Sequence, residues 1–119
     1  MHKGRKITGG KYIKPRKKKI YDLLGQKKNV KLGDDKRKSK RARGGKLKVF
    51  LLRAKIVNVQ DGGKSKKIEI KNVLETPSNR FLARQNIITK GTIVETEIGK
   101  VKITNRPTQE GTLNGVLVK

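Results

Sequence analysis

Residues 47–59 read LKVFLLRAKIVNV, and their apolar side chains recur at every second position. Leu47 and Val49 occupy one face of an extended chain, whereas Phe50 and Leu52 occupy the other. A switch of phase within one run predicts a long strand that bends or bulges, as the closure of a barrel requires. This stretch therefore indicates a β fold from residue 47 onwards.

Turn residues divide the chain after residue 59 into short segments. The predicted turns are Asp61-Gly62-Gly63, Thr76-Pro77-Ser78-Asn79, Thr89-Lys90-Gly91 and the loop 106–111. The predicted strands are 47–59, 67–74, 81–88, 92–97, 101–104 and 116–118. Short strands at this spacing are typical of a small antiparallel sandwich or barrel. A barrel is favoured because closure removes exposed strand edges. We therefore predict an all-β protein with a small antiparallel six-stranded barrel at residues 47–119.

The segment 92–104 predicts a hairpin around Gly99. If Ile98-Gly99 forms its loop, Glu97 faces Lys100 and Glu95 faces Lys102, which makes two cross-strand pairs of opposite charge. The two glutamates also raise the alternative of a catalytic carboxylate pair. Because lysines stand opposite both of them, we favour the structural role.

Residues 1–46 have a different composition. They carry 19 of the 33 Lys and Arg residues against three aspartates, a net charge of +16, whereas residues 47–119 carry +8 (14 minus 6). Basic clusters alternate with glycines and show no sustained period, which predicts a long, mostly irregular arm with one short helical turn at 20–24. A segment so charged repels itself and favours a polyanionic partner. We therefore divide the chain into a basic N-terminal arm at 1–46, expected to bind a polyanion such as RNA, and a barrel core at 47–119.

The sequence argues against enzymatic, metal and membrane functions. It has no cysteine and one histidine, His2, so a zinc site or a catalytic triad is not expected. Gly63-Lys64-Ser65 resembles the end of a phosphate-binding loop, but Asn58 replaces the required glycine and a strand follows. No apolar run approaches the ~20 residues of a membrane span. We predict no catalytic residue, metal, cofactor, small-molecule substrate or membrane partner.

Lysine and arginine neutralise phosphates, arginine adds bidentate contacts, and tyrosine can stack on unpaired bases. We expect the densest contacts at Arg16, Lys17, Lys18, Lys19, Arg37, Arg41 and Arg43. The further candidates in the arm are Lys3, Arg5, Lys6, Lys11, Tyr12, Lys14, Lys27, Lys28, Lys31, Lys36, Lys38, Lys40 and Lys46. Weaker candidates on the barrel are Arg84, Lys90 and Arg106.

Charge alone does not distinguish RNA from DNA or from an anionic membrane. A membrane-surface arm would carry an amphipathic stripe, and the sequence shows none. A long basic segment interrupted by glycines suits the irregular interior of a folded RNA better than a regular groove. A basic DNA-binding chromatin protein is the alternative, and a barrel enzyme with a basic localisation arm is a third hypothesis.

Several short motifs, in this order, resemble those of one family. They are Thr8-Gly9-Gly10-Lys11, the basic run ending at Lys19 before Tyr21 and Leu24-Gly25, Lys31-Leu32-Gly33, Arg41-Ala42-Arg43-Gly44-Gly45-Lys46, Asn58-Val59, Asn86-Ile87-Ile88-Thr89-Lys90-Gly91, and Arg106-Pro107 with residues 109–111 leading to Asn114. In order and spacing they resemble the eukaryotic-type eighth small-subunit ribosomal protein family. The absence of a long insertion in the β part resembles the archaeal short form.

The resemblance implies a structural constituent of the small ribosomal subunit in the cytoplasm. In this family the basic N-terminal portion runs through ribosomal RNA and a β-barrel sits at the surface. The implied partners are the small-subunit ribosomal RNA and neighbouring ribosomal proteins, and the chain is not expected to form a homo-oligomer. Three residues depart from the family pattern: Thr108 and Glu110 stand where Gly and Asp are expected, and Gln26 stands where Arg is usual.

Overall fold

The computed structural model describes residues 4–13 and 15–118, and within them the fold is all-β apart from short helical segments. The strands are β1 (Val30–Leu32), β2 (Lys36–Arg41), β3 (Leu47–Ala54), β4 (Ile56–Asp61), β5 (Lys64–Glu75), β6 (Ile87–Ile88), β7 (Ile93–Thr96), β8 (Gly99–Ile103) and β9 (Asn114–Leu117). One α-helix, α1, covers Arg80–Arg84, and 3-10 turns cover Ile20–Asp22 and Arg43–Gly45. The predicted all-β class and the predicted helical turn near residue 20 are confirmed.

Five strands form a closed barrel in the order β4-β5-β7-β8-β9. Neighbouring strands are antiparallel except at the closure, where β9 pairs with β4 in parallel. The prediction of a six-stranded antiparallel barrel is therefore wrong in its strand count and at this closing pair. The count falls because the predicted strand 81–88 contains α1 and the two-residue β6, which joins a different sheet.

A second sheet has the order β2-β3-β1-β6. The predicted long strand at 47–59 divides at Lys55, so that β3 lies in this sheet and β4 in the barrel. The change of phase predicted one long strand that bends or bulges, whereas the structure has two strands in different sheets. The strands β1 and β2 come from the segment predicted to be mostly irregular, where no apolar alternation indicated a strand.

The barrel and the second sheet share one hydrophobic core. The period-two pattern places alternate residues inward, such as Val57 and Val59 of β4 and Val101 and Ile103 of β8. The second sheet contributes buried side chains to the same cluster, namely Val30, Leu51, Ala54 and Ile88. Each fully buried aliphatic side chain of this size stabilises the fold by about 1.5–3 kcal/mol. The core is thus the reason that residues 30–118 pack as one body.

The turn at Asp61-Gly62-Gly63 forms as predicted. Asp61 pairs with Lys64, so Gly62 and Gly63 make a two-residue hairpin loop. Their φ angles are +52° and +90°, in the region that glycine enters without steric cost. This geometry is the type I′ turn that matches the twist of a hairpin.

The hairpin of β7 and β8 forms, but its predicted register is wrong. Glu95 pairs with Lys100 and Thr96 with Gly99, so the loop is Glu97–Ile98 instead of Ile98–Gly99. Thr96 Oγ1 donates a hydrogen bond to the Gly99 carbonyl at 2.8 Å, which closes the tighter loop. Glu95 therefore faces one lysine across the ladder, and the predicted pairing of Glu97 with Lys100 is lost.

Residues 80–84 are helical where a strand was predicted. The Asn79 side chain accepts a hydrogen bond from the Phe81 amide at 3.0 Å and caps the first turn. The helix ends near Asn86, whose φ of +53° redirects the chain into β6. A single helical turn is too short for a period to be visible in the sequence, so the apolar residues in it resemble a strand.

Residues 4–13 and 15–29 precede this body and add no side chain to its buried core. Every one of them is exposed, and they include one isolated bridge between Arg5 and Lys11. The radius of gyration is 20.2 Å, against about 13–14 Å for a compact chain of this length. The longest dimension of the molecule is 62 Å, about twice the other two at 35 and 29 Å.

Candidate nucleic-acid interface

The strand β2 is an edge strand with the sequence KRKSKR. All six of its residues are exposed, and none of them is apolar. Its ladder to β3 runs from Lys36 opposite Arg53 to Arg41 opposite Leu47, with a bulge after Lys36. Backbone hydrogen bonding, not side-chain burial, therefore holds β2 on the sheet.

The strand registers bring six cationic side chains to one face of this sheet. Paired residues on adjacent strands point to the same side, as do alternate residues along one strand. The bulge gives β3 one extra residue at Leu52, which returns Arg53 to the side of Lys48 and Phe50. Lys36 of β2 lies opposite Arg53 of β3, and Arg53 lies opposite Lys31 of β1. Further along, Lys40 lies opposite Lys48. We call the following set the cationic face: Lys31, Lys36, Lys38, Lys40, Lys48 and Arg53.

Like charges stand directly across the ladder on the cationic face. Neighbouring strands are about 4.8 Å apart, so these cations repel one another when no anion lies between them. The ion pairs found within the described residues all lie elsewhere; they join Arg16 to Asp22, Arg37 to Asp35 and Lys55 to Glu69. The cationic face thus has the charge arrangement of an anion-binding surface.

An aromatic ring lies within the cationic face. Phe50 is opposite Lys38 on the ladder and only 7% exposed. The Lys28 ammonium nitrogen covers this ring at 3.5 Å from its centroid, a cation–π contact. Beside Phe50 is a cavity of about 790 Å³ between the first half of β3 and the loop 108–112. Lys28 and Lys48 also line this cavity.

Two local structures organise the exposed N-terminal residues. Residues 5–11 form a tight turn, in which the Arg5 guanidinium donates to the Gly9 carbonyl at 3.1 Å. Further on, the Arg16 guanidinium bonds to the Asp22 carboxylate at 2.7 Å and lies 5.8 Å from the centre of the Tyr21 ring. The charge of Arg16 is therefore partly neutralised within the chain, unlike that of its neighbours at 17–19.

The structure distributes the predicted contact residues over several places. Four of them lie on the cationic face: Lys31, Lys36, Lys38 and Lys40. Arg37 and Arg41 lie on the other side of β2, and Arg43 and Lys46 flank the turn that leads to β3. The exposed irregular segments carry Arg5, Lys6, Lys11, Tyr12, Arg16, Lys17, Lys18, Lys19, Lys27 and Lys28. Lys3 and Lys14 lie outside the described residues.

The three predicted barrel contacts do not join these groups. Arg84 ends α1, Lys90 lies in the turn before β7, and Arg106 begins the loop before β9. All three side chains are exposed. They are accessible to a ligand but lie outside the cationic face.

Two residues of the cationic face, Lys48 and Arg53, were absent from the prediction. They belong to β3, and the sequence analysis considered only the apolar residues of that strand. The signal that identifies them is the alternation of Lys36, Lys38 and Lys40, which becomes meaningful once β2 is known to pair with β3.

The described residues hold no cluster of three His, Asp or Glu side chains that could bind a metal ion. Among the same residues, no helix is long and apolar enough to cross a membrane. Lys64, the lysine of the candidate phosphate loop, instead begins β5 after a two-residue turn. His2 lies outside the part of the chain that the structure describes.

Comparison with known proteins gives one consistent result. The family model described as ribosomal protein S8e matches residues 1–118. A small ribosomal subunit protein eS8 from Nanoarchaeum equitans is 50% identical over 117 residues, covering 97% of this chain and 92% of the relative. Proteins of the same name are 43% identical over 118 residues in Sulfurisphaera tokodaii and 50% identical over 119 residues in Staphylothermus marinus, with the same coverage. All three relatives are archaeal.

Proposed function

The chain belongs to the ribosomal protein S8e family, and on this premise we propose that it is a constituent of the small ribosomal subunit. It binds ribosomal RNA and stabilises the folded form of that RNA, and so supports translation in the cytoplasm. The family is structural, not enzymatic.

The proposed mechanism is distributed phosphate neutralisation by residues 1–46. Each lysine or arginine that meets a phosphate releases condensed counterions, and this release favours binding without reading the base sequence. Residues 4–13 and 15–29 are exposed throughout, so their cations can reach phosphates on more than one RNA helix. The basic arm is therefore the main source of affinity in this proposal.

The observation that carries the proposal is the cationic face. Three adjacent strands place Lys36, Arg53 and Lys31 side by side, and the carboxylates found in ion pairs belong to other groups. Such a row is unfavourable in the free protein and favourable once RNA phosphates lie along it. The face extends the arm onto a rigid sheet, which fixes how the RNA approaches the barrel.

We assign RNA binding to residues 1–46 together with Lys48 and Arg53 of β3, and residues 47–119 otherwise form the core that positions them. In this proposal the partners of the chain also include neighbouring ribosomal proteins of the small subunit. The chain acts as a single copy and not as a homo-oligomer, because its charge of +24 opposes self-association outside a polyanionic particle.

Mass spectrometry of salt-washed small ribosomal subunits tests the proposal. We expect the chain at one copy per subunit. A second measurement compares its binding to structured small-subunit ribosomal RNA and to duplex DNA at moderate salt. Equal affinity for both, with the chain absent from purified subunits, would instead support a DNA-binding chromatin protein.

A further inference from the structure

We propose that the cavity beside Phe50 is a site for one unpaired nucleobase of the bound RNA, which stacks on the Phe50 ring. This inference rests on the proposed function, because it concerns the same cationic surface. It adds a distinct kind of recognition, since phosphate contacts position an RNA whereas contacts to an unpaired base select a place on it.

The environment of the Phe50 ring is the first observation. Phe50 is the one aromatic residue on the cationic face, flanked by Lys38 across the ladder and by Lys48 along β3. One face of its ring is covered by the Lys28 ammonium nitrogen at 3.5 Å. A long, flexible lysine can move aside at little cost, so a planar base can take its place over the ring.

The cavity that adjoins Phe50 has a suitable size and lining. Its volume of about 790 Å³ lies within the usual range of small-molecule pockets. Leu47 and Val49 supply apolar surface, and Thr108 and Gln109 supply hydrogen-bonding groups for the edge of a base. This combination of an apolar wall with a few polar groups is typical of sites that bind an aromatic heterocycle.

The strand pairing explains why this space exists. The strand β1 pairs with β3 only at Arg53 and Ala54, so the first half of β3 has no neighbouring strand on that side. The loop after β8 approaches instead, and Leu51 donates its amide hydrogen to the Pro107 carbonyl at 3.1 Å. At Gly111 the loop is so close that an added Cβ would lie 2.9 Å from Val49 Cγ1. The cavity therefore lies between the unpaired edge of β3 and this loop.

The charges around the cavity favour a nucleotide over a peptide. Lys28 and Lys48 line it, Lys38 and Lys40 lie beside it on β2, and Glu110 is the one acidic residue in its lining. The Glu110 carboxylate already accepts a hydrogen bond from the Asn105 amide at 2.7 Å. When a base enters, the displaced Lys28 ammonium remains close enough to pair with the phosphate of the same nucleotide.

The test uses the full chain and two RNA hairpins that differ only by a single unpaired adenosine in one stem. Stacking on an aromatic side chain is worth about 1–3 kcal/mol per base, so the bulged RNA should bind at least about fivefold more tightly. Phe50→Leu keeps an apolar side chain but removes the ring, and we expect it to abolish this preference. Phe81→Leu is the matched control, because Phe81 is 61% exposed on α1 and does not line the cavity.

Equal affinity of the wild-type chain for the two RNAs would overturn the inference, as would a preference that persists in Phe50→Leu. If the cavity instead receives a segment of another protein, the wild-type chain should bind the two RNAs with equal affinity. Failure to bind either RNA would contradict the proposed function itself, so the two failures are distinguishable.

A measurement on the unsubstituted chain covers the case in which Phe50→Leu fails to fold. The chain has two phenylalanines, so selective isotope labelling gives two sets of ring signals. We expect the bulged RNA, but not the paired one, to shift the Phe50 signals by ring currents and to leave those of Phe81 unchanged. Unchanged Phe50 signals with bound bulged RNA would contradict the inference.

Discussion

The barrel and the exposed residues 4–13 and 15–29 use opposite means of holding a shape. The barrel places alternate aliphatic side chains in a common core and closes its own strand edges. The exposed segments have no buried residue, and apolar side chains such as Ile7 and Leu24 are about 90% exposed or more. The difference shows that the body formed by residues 30–118, and not the exposed segments, carries the buried apolar surface that folding requires.

The sheet that carries the cationic face lies between these extremes. The strand β2 has a regular backbone ladder but no burial, and its cations face other cations on β3. Its stability therefore depends on the ionic surroundings more than that of any barrel strand. The following changes test this contrast between a self-sufficient barrel and a basic surface that needs a partner.

Removal of residues 1–29 should have the largest effect on RNA binding. This segment carries 11 of the 33 Lys and Arg residues, and their loss should weaken binding to ribosomal RNA by about 10³-fold. The melting temperature should change little, because none of the described residues in the segment is buried. Binding titrations and thermal unfolding monitored by circular dichroism measure the two effects. If the chain without residues 1–29 is unfolded, the folded body is not independent of the exposed segment, and the contrast between them is contradicted.

Matched isoleucine substitutions should separate the two regions by stability. Ile103 is fully buried in β8, so Ile103→Ala should lower the free energy of unfolding by about 2–5 kcal/mol. Ile20 is 88% exposed, and Ile20→Ala should leave that free energy nearly unchanged. Urea unfolding of both variants provides the measurement. Similar losses in the two would show that the exposed segment is packed in solution.

Glycine-to-alanine substitutions compare the barrel with the exposed segment in another way, because each adds a methyl group to its surroundings. A Cβ at Gly115 of β9 would lie 2.5 Å from Val101 Cγ1 and 3.0 Å from the Lys102 carbonyl oxygen. Gly115→Ala should therefore destabilise the barrel by about 1–3 kcal/mol. Gly25 has no atom within 4 Å of such a position, so Gly25→Ala is the control. Equal shifts of the denaturant midpoint in the two variants would contradict the tight packing of Gly115 and the open surroundings of Gly25.

Arg53→Gln should change stability and binding in opposite directions. Removing the middle cation of the row relieves repulsion with Lys36 and Lys31, so the free protein should gain about 0.2–1 kcal/mol. Its affinity for RNA should fall, and the dependence of log affinity on log salt should become shallower by about 0.7–0.9. Lys66→Gln is the control, because Lys66 lies opposite Val59 and not opposite a cation. A loss of stability in Arg53→Gln would argue against the repulsive row.

Asp22→Asn should have the smallest effect. The substitution releases Arg16 from its 2.7 Å ion pair, so RNA affinity should rise, by less than about fivefold, while stability is unchanged. Asp34→Asn removes the same charge from the loop between β1 and β2 and serves as the control. If filter-binding assays give the same increase in RNA affinity for both variants, the cause is the change in net charge and not the release of Arg16.

Features that depend on local chemistry were predictable from the sequence. The period of two in β4 and β8 gave the fold class, and Gly62-Gly63 gave a hairpin turn. Features that depend on residues far apart in the sequence were not predictable from it. No local pattern shows that β9 closes the barrel in parallel with β4, and the single turn of α1 depends on one capping side chain at Asn79.

The candidate site was predictable in composition but not in arrangement. Charge density identified Lys36, Lys38 and Lys40, yet KRKSKR carries no apolar alternation to indicate a strand. Without that strand, Lys48 and Arg53 appear as ordinary solvent-facing positions, although the sheet places them in the same face. Cross-strand register is a tertiary property, and it is what turns separate charges into a surface.

Amide hydrogen exchange of the full chain, with and without small-subunit ribosomal RNA, tests the central contrast most directly. In the free protein the amides of β7 and β8 should be protected while those of residues 15–29 exchange at once, and RNA should slow exchange only outside the barrel. Protection of residues 15–29 in the free protein, or no change there when RNA is bound, would contradict the account.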